Sequence, residues 1–109
     1  MAIAQSPYLR QLKRVHLDGN RIGDEGAIAF ANSPYASQLE RFSMALSGVR
    51  GQGCMAIGWS TALSPQIRRH CIKGSYSMLQ LKEFADELDI PDVAGMDWEA
   101  ILRVFGVTL

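Results

Sequence analysis

The chain has 109 residues, 48% of them apolar and 20% charged, with basic and acidic side chains in equal number. That apolar share excludes a disordered segment, and the length allows one domain with a modest core. No apolar run approaches the ~18 residues of a membrane span, the first six residues lack the charged start and apolar core of a signal peptide, and two cysteines, Cys54 and Cys71, make no disulfide framework. A reducing, cytoplasmic setting with free thiols is the expectation.

Neutrality hides an asymmetry. Residues 1–73 carry nine Lys or Arg against four acids, and residues 74–109 carry two against seven. A +5 stretch thus precedes a −5 stretch, which favours the two lying against each other and argues against polyanion binding by the chain as a whole.

In chain order, the first signal is a repeat. Ser6-Pro7-Tyr8 recurs 27 residues later as Ser33-Pro34-Tyr35. Without a gap, Leu12, Val15, Leu17, Ile22, Gly26, Ala29 and Phe30 recur as Leu39, Phe42, Met44, Val49, Gly53, Ala56 and Ile57. A period in the twenties marks units that bury their apolar faces by stacking on one another. In unit one, Val15 and Leu17 of a short strand point one way, while Arg14, His16 and Asp18 point the other. Gly19-Asn20 reads as a turn, and Asp24 as the N-cap of a helix from Glu25 to Ala31. That helix ends before Pro34, because the residue preceding a proline avoids the helical region.

Leu12, Val15, Leu17, Asn20, Ile22, Asp24, Gly26 and Ala27 together resemble a leucine-rich repeat of the ribonuclease-inhibitor-like subclass. The resemblance implies parallel strands on one face, helices on the other, and a buried Asn20 whose amide satisfies turn backbone groups. Unit two has Ser47 at the Asn20 position and Arg50-Gly51 for Gly23-Asp24, so its turn and helix cap are expected to be weaker.

A third, degenerate unit is expected at residues 60–74. There Ile67, Arg69, Ile72 and Gly74 match Leu12, Arg14, Leu17 and Gly19 at a spacing of 55. That alignment puts His70 inward and Cys71 outward. The opening stretch, Met1 to Ser6, matches Met55 to Ser60, so the chain reads as the C-terminal end of a longer array with a bare N-terminal edge.

The acidic remainder reads as two helices. Ser77 to Gln80 fits a capping box, followed by the stripe Leu81, Phe84, Ala85 and Leu88. Asp89-Ile90-Pro91-Asp92 breaks that helix; Asp97 caps a second with the stripe Trp98, Ile101, Leu102 and Phe105, stopped by Gly106. This segment distantly resembles helix–extended-loop–helix nucleic-acid modules of the SAP kind, but its acidity contradicts phosphate binding.

Arg14, Arg41 and Arg69 fall at equivalent outward positions, and strands ~4.8 Å apart would stack them into a basic ladder. The ladder can grip carboxylates or phosphates in forked geometry, stay solvated, or pair with the acidic segment. His16, Asp18 and Ser43 share that face. Tyr8 and Tyr35 recur in the loops before the strands and read as inter-repeat packing rather than interface anchors. Trp59 reads as contact with the C-terminal helices rather than an exposed anchor. No residue reads as catalytic: His70 and Cys71 are adjacent and point apart, and Cys54 is a small core residue. The two histidines and two cysteines lack metal-ligand spacing. The Gly48, Gly51 and Gly53 cluster lacks the Lys and Ser/Thr of a phosphate loop, so no cofactor is implied.

The expected fold is α/β: a short leucine-rich-repeat solenoid over residues 1–74, with units at 6–32, 33–59 and 60–74, closed by a two-helix cap at 75–109. The resemblance implies a protein-interaction module, not an enzyme, whose contact surface is Arg14, His16, Asp18, Arg41, Ser43 and Arg69. Two alternatives stand beside it. One is nucleic-acid or polyanion binding through the arginines, and the other is self-association through an N-terminal edge containing Ile3 and Phe30.

Overall fold

Val15 and Phe42 occupy the same position in successive repeats, and in the computed structural model, which describes residues 11–107, they face each other across a parallel pair. Strand β1 (Arg14–His16) pairs Arg14 with Arg41, Val15 with Phe42 and His16 with Ser43 of β2 (Arg41–Ser43). Each partner lies 27 residues on, so the sequence period is the register of the sheet. The middle residue of each strand is buried and the first is exposed. Each strand runs through a turn into a helix: α1 (Gly23–Ala31) after β1 and α2 (Gly51–Gly58) after β2. The result is an α/β repeat. Gly26, Ala27, Phe30 and Ala31 form the buried side of α1, and Cys54 and Ile57 lie on that of α2. Phe30 stacks on Phe42 with ring centroids 4.8 Å apart, tying helix to sheet. Burying aromatic and aliphatic side chains such as these stabilises the fold by ~1.5–3 kcal/mol each.

The third unit is not a strand. Residues Pro65–Ser75 form helix α3, begun by the Ser64 side chain, which accepts from the Ile67 amide at 3.2 Å, and by Pro65 in the first turn. Its buried residues Ile67, Cys71 and Ile72 follow helical spacing, and the helix packs on β2. The Met44 amide donates to Ser75 Oγ at 3.3 Å. A helix side chain therefore satisfies a strand group that a third strand would have paired. Two orientations are corrected with it: His70, expected inward, is exposed, and Cys71, expected outward, is fully buried.

Local polar roles also differ from expectation. Asp24 makes no cap for α1; its Oδ1 instead accepts from the Arg50 and Gly53 amides at 2.7 and 3.0 Å, capping the helix of the next repeat. Asn20 is exposed, and its side chain donates only to the Asp18 carbonyl, at 3.3 Å. The buried polar turn residue is Ser47, whose hydroxyl donates to the Met44 carbonyl and whose carbonyl accepts from Ile22 and Gly23. Ser60 binds the repeats from the other end: its hydroxyl donates to the Ala31 carbonyl at 2.5 Å and accepts from Ala62 and Leu63.

Beyond α3, helix α4 (Met78–Glu87) starts at the expected capping box between Ser77 and Gln80 and buries Leu81, Phe84 and Ala85. After Asp89 and Asp92, both with positive φ, and a short 3-10 turn, helix α5 (Trp98–Val104) is capped by Asp97 and buries Ile101 and Leu102. Helix α4 packs on α2 and on α5. At the end of α2, Gly58 permits a close approach of the backbone that follows α5. A Cβ there would stand 1.6 Å from the Phe105 carbonyl oxygen, so only glycine lets the end of α5 meet α2. The Trp59 indole extends this contact by donating to the Val104 carbonyl at 3.1 Å while remaining 58% exposed.

Candidate functional site

The strand face is built by alternation. With Val15 and Phe42 inward, Arg14 and His16 of β1 and Arg41 and Ser43 of β2 are left facing out, and register sets Arg14 beside Arg41 and His16 beside Ser43. His16 Nδ1 lies 2.9 Å from Ser43 Oγ, which fixes both side chains in one orientation. Two guanidinium groups side by side are unfavourable across a sheet unless something anionic lies over them. Among the described residues the ion pairs are Lys13–Glu40, Arg50–Glu87 and Arg103–Glu99, and none reaches Arg14, Arg41 or Arg69.

Asp18 stands on the same side but is partly committed to structure. Its Oδ1 accepts from the Ala45 amide at 2.8 Å, linking the two turns. Arg69 does not complete a three-strand ladder, because it lies on the exposed side of α3 together with His70 and Lys73. The structure thus brings together Arg14, His16, Arg41 and Ser43, turns Asp18 partly into the scaffold, and carries Arg69 on a helix against β2.

Among the described residues, one ion pair joins the basic and acidic halves, Arg50 with Glu87. Glu87 accepts from Arg50 Nε at 3.0 and 3.3 Å and also from its terminal nitrogen, and the guanidinium lies 5.2 Å over the Phe84 ring. The hydrogen bonds from Arg50 and its positive charge hold the Glu87 carboxyl below the usual carboxylate range, and the same bonds raise the Arg50 pKa.

Neither thiol is poised for chemistry. Burial pushes Cys54 up to about 12 and raises Cys71 as well, while Cys71 faces away from exposed His70. The Tyr76 hydroxyl, raised mainly by burial, donates to the Val49 carbonyl at 3.3 Å. Among the described residues no three His, Cys, Asp or Glu side chains converge to hold a metal ion, and no helix is long and apolar enough to cross a membrane.

Tyr35 is half-buried against the core. Phe30, expected at an open N-terminal edge, is fully buried. Tyr8 and Ile3 lie outside the described residues. One feature escaped sequence reading altogether: Leu46, at the repeat position of Gly19, is 88% exposed and has a φ of 55°. A bulky residue replacing glycine at a repeat turn was the available signal.

Residues 8–31 match the family model described as Leucine Rich repeat. No curated protein and no solved structure matched the chain. The matched stretch includes β1 and α1, and the second strand and helix repeat that layout in register 27 residues on. Residues 8–31 are thus similar to a leucine-rich repeat, and residues 41–58 repeat the same strand-to-helix layout.

Proposed function

We propose that the chain is a protein-interaction module that binds its partner through the outward face of the two strands. Leucine-rich repeats generally mediate protein–protein interaction, and the observation that carries the reading is the Arg14–Arg41 pair, held in register with no ion pair to an acid among the described residues. His16 and Ser43 add a fixed polar pair beside it. Arg69 extends the basic surface from α3, and Asp18 offers a carboxylate at its border. The architecture is a short solenoid of the ribonuclease-inhibitor-like kind, with residues 75–109 closing its end. Binding is rigid: the backbone that presents these side chains is already ordered by Val15, Phe42 and Phe30, so little ordering entropy is lost on docking. Specificity comes from charge and forked hydrogen bonds to carboxylates rather than from chemistry. Site-specific photocrosslinking tests this. A photoreactive residue at Ser43 should capture the partner, and one at Gln52, exposed on α2, should not. Capture from Gln52 alone would remove the strand face from the account.

A second reading rests on the same guanidinium pair, since phosphates also satisfy adjacent arginines. Its mark is salt dependence: each phosphate contact contributes a slope of about −0.9 in log K against log salt for duplex DNA. Arg14→Ala with Arg41→Ala should then flatten that slope by about two contacts. Duplex binding that is absent or insensitive to both substitutions excludes this reading.

A further inference from the structure

Leu46 is the residue least explained by the fold. It occupies the turn position where unit one has Gly19, whose φ is 75°, and it adopts a φ of 55° itself. Left-handed backbone is costly for a residue with a branched side chain and free for glycine. Such strain is retained when the site uses it. The side chain gains nothing from packing in return, being 88% exposed.

What it borders is a groove of about 210 Å³ between the β2–α2 turn and α4. Val49, Tyr76 and Phe84, each buried in the core, line it, and the Tyr76 and Phe84 rings meet edge to face at 5.3 Å. Gln80 and Glu83 of α4 form the opposite rim. Leu79, 73% exposed, stands one turn before Glu83 on the same side of α4. An exposed leucine lining a groove with an apolar floor, with a second exposed leucine on the adjoining helix, is the pattern of an interaction site rather than of scattered surface residues. The volume is below the ~300–1,000 Å³ of small-molecule pockets and suits one inserted side chain.

Charge selects the occupant. Among the described residues one cation, Arg50, lines the groove; it donates hydrogen bonds to Glu87 and also feels the charge of Glu83, so two carboxylates face one guanidinium there. The groove mouth is therefore net negative, and Asp86 lies exposed on the next turn of α4. We propose that this groove docks a short segment of a partner protein that presents one large apolar side chain flanked by Lys or Arg, with Leu46 as its apolar lip. The negative rim disfavours an anionic lipid surface and an acidic peptide alike. This goes beyond the strand-face reading and does not depend on it, since no lining residue belongs to β1 or β2.

The test uses an array of hexapeptides with a central Leu, Ile, Met or Phe, flanked by Lys/Arg or by Asp/Glu, followed by solution titration of the strongest binder by fluorescence anisotropy. Basic-flanked members should bind. Leu46→Gly should weaken binding at least tenfold while leaving Tm unchanged or higher, because glycine relieves the positive φ. Glu83→Gln should weaken it about threefold, and Arg14→Ala should leave it unchanged. The proposal is overturned if no basic-flanked member binds, if acid-flanked members bind equally, if Leu46→Gly keeps its affinity, or if that variant's Tm falls by more than about 5 °C. Sedimentation closes the alternatives. Self-association, or pelleting with phosphatidylcholine vesicles, that Leu46→Gly abolishes would assign the lip to a second copy or to lipid and overturn the proposal.

Discussion

Asp24→Ala removes the acceptor that joins one repeat to the next. The carboxylate takes two backbone N–H bonds, from Arg50 at 2.7 Å and Gly53 at 3.0 Å, at the start of a helix with no side-chain cap of its own. Loss of an N-cap acceptor costs ~0.5–2 kcal/mol, and a hydrogen bond to a charged group contributes ~1.5–3 kcal/mol net. Asp24 is only half-buried, so water can replace part of the loss, and the expected cost is ~2 kcal/mol. For a chain of this size that lowers Tm by about 8 °C. Asp24→Asn keeps an acceptor and loses the charge, so it should cost about half as much. Circular-dichroism melts give the stability, and amide hydrogen exchange gives the location: Arg50 and Gly53 should lose protection, while the first turn of α1 should not. A change within ~0.5 kcal/mol of wild type, or loss of protection confined to Glu25, Gly26 and Ala27, would refute the inter-repeat cap.

Gly58→Ala should destabilise by ~2 kcal/mol or more, since its Cβ would overlap the Phe105 carbonyl, and the red-shifted fluorescence of Trp59 and Trp98 should report separation of α5 from α2; an unshifted melt contradicts this. Both thiols should resist iodoacetamide at pH 8 in the native state and react on unfolding, because burial raises their pKa values and keeps them protonated; rapid native labelling of Cys54 contradicts its burial. The Glu87 pKa is depressed by Arg50, so the pair's contribution to stability is present above the ordinary glutamate pKa and disappears as pH falls through the lowered one. Carbon-detected NMR titration should find Glu87 titrating below the ordinary glutamate range, and Arg50→Ala should return it to that range; an ordinary Glu87 titration in the wild type would remove the ion pair.

The parts legible in the sequence were those governed by period. Val15 over Phe42 and Arg14 beside Arg41 follow from 27-residue spacing plus strand alternation, and the capping residues Ser77 and Asp97 follow from local helix signals. Residues 65–75 were misread because Ile67, Arg69 and Ile72 fit a strand template loosely, while Ser64-Pro65 is a helix start and Ile67, Cys71 and Ile72 make a helical stripe. The extra residue in the 55-residue spacing was the sign that the register had broken. Ser-Pro ends a helix at Ser33-Pro34 and begins one at Ser64-Pro65, so the dipeptide alone does not decide. The inter-repeat role of Asp24 depends on which helix lies beside it, and no local pattern carries that. Its indirect signal was the missing cap at Arg50-Gly51. The outward placement of Arg14, His16, Arg41 and Ser43 on the strands was legible, but Asp18 is drawn into a turn by an amide 27 residues away.

The central claim is that the strand face, not the helix face, recognises a protein partner. Isothermal titration of the captured partner against three forms of the chain tests it directly: wild type, Arg14→Ala with Arg41→Ala, and Glu25→Ala with Gln52→Ala. Glu25 and Gln52 are exposed on α1 and α2, the opposite layer. The strand-face double variant should raise Kd at least tenfold, about 1.4 kcal/mol, with Tm within a few degrees of wild type, and the helix-face variant should leave Kd unchanged. Equal affinity for all three forms, or loss only in the helix-face variant, would contradict the account.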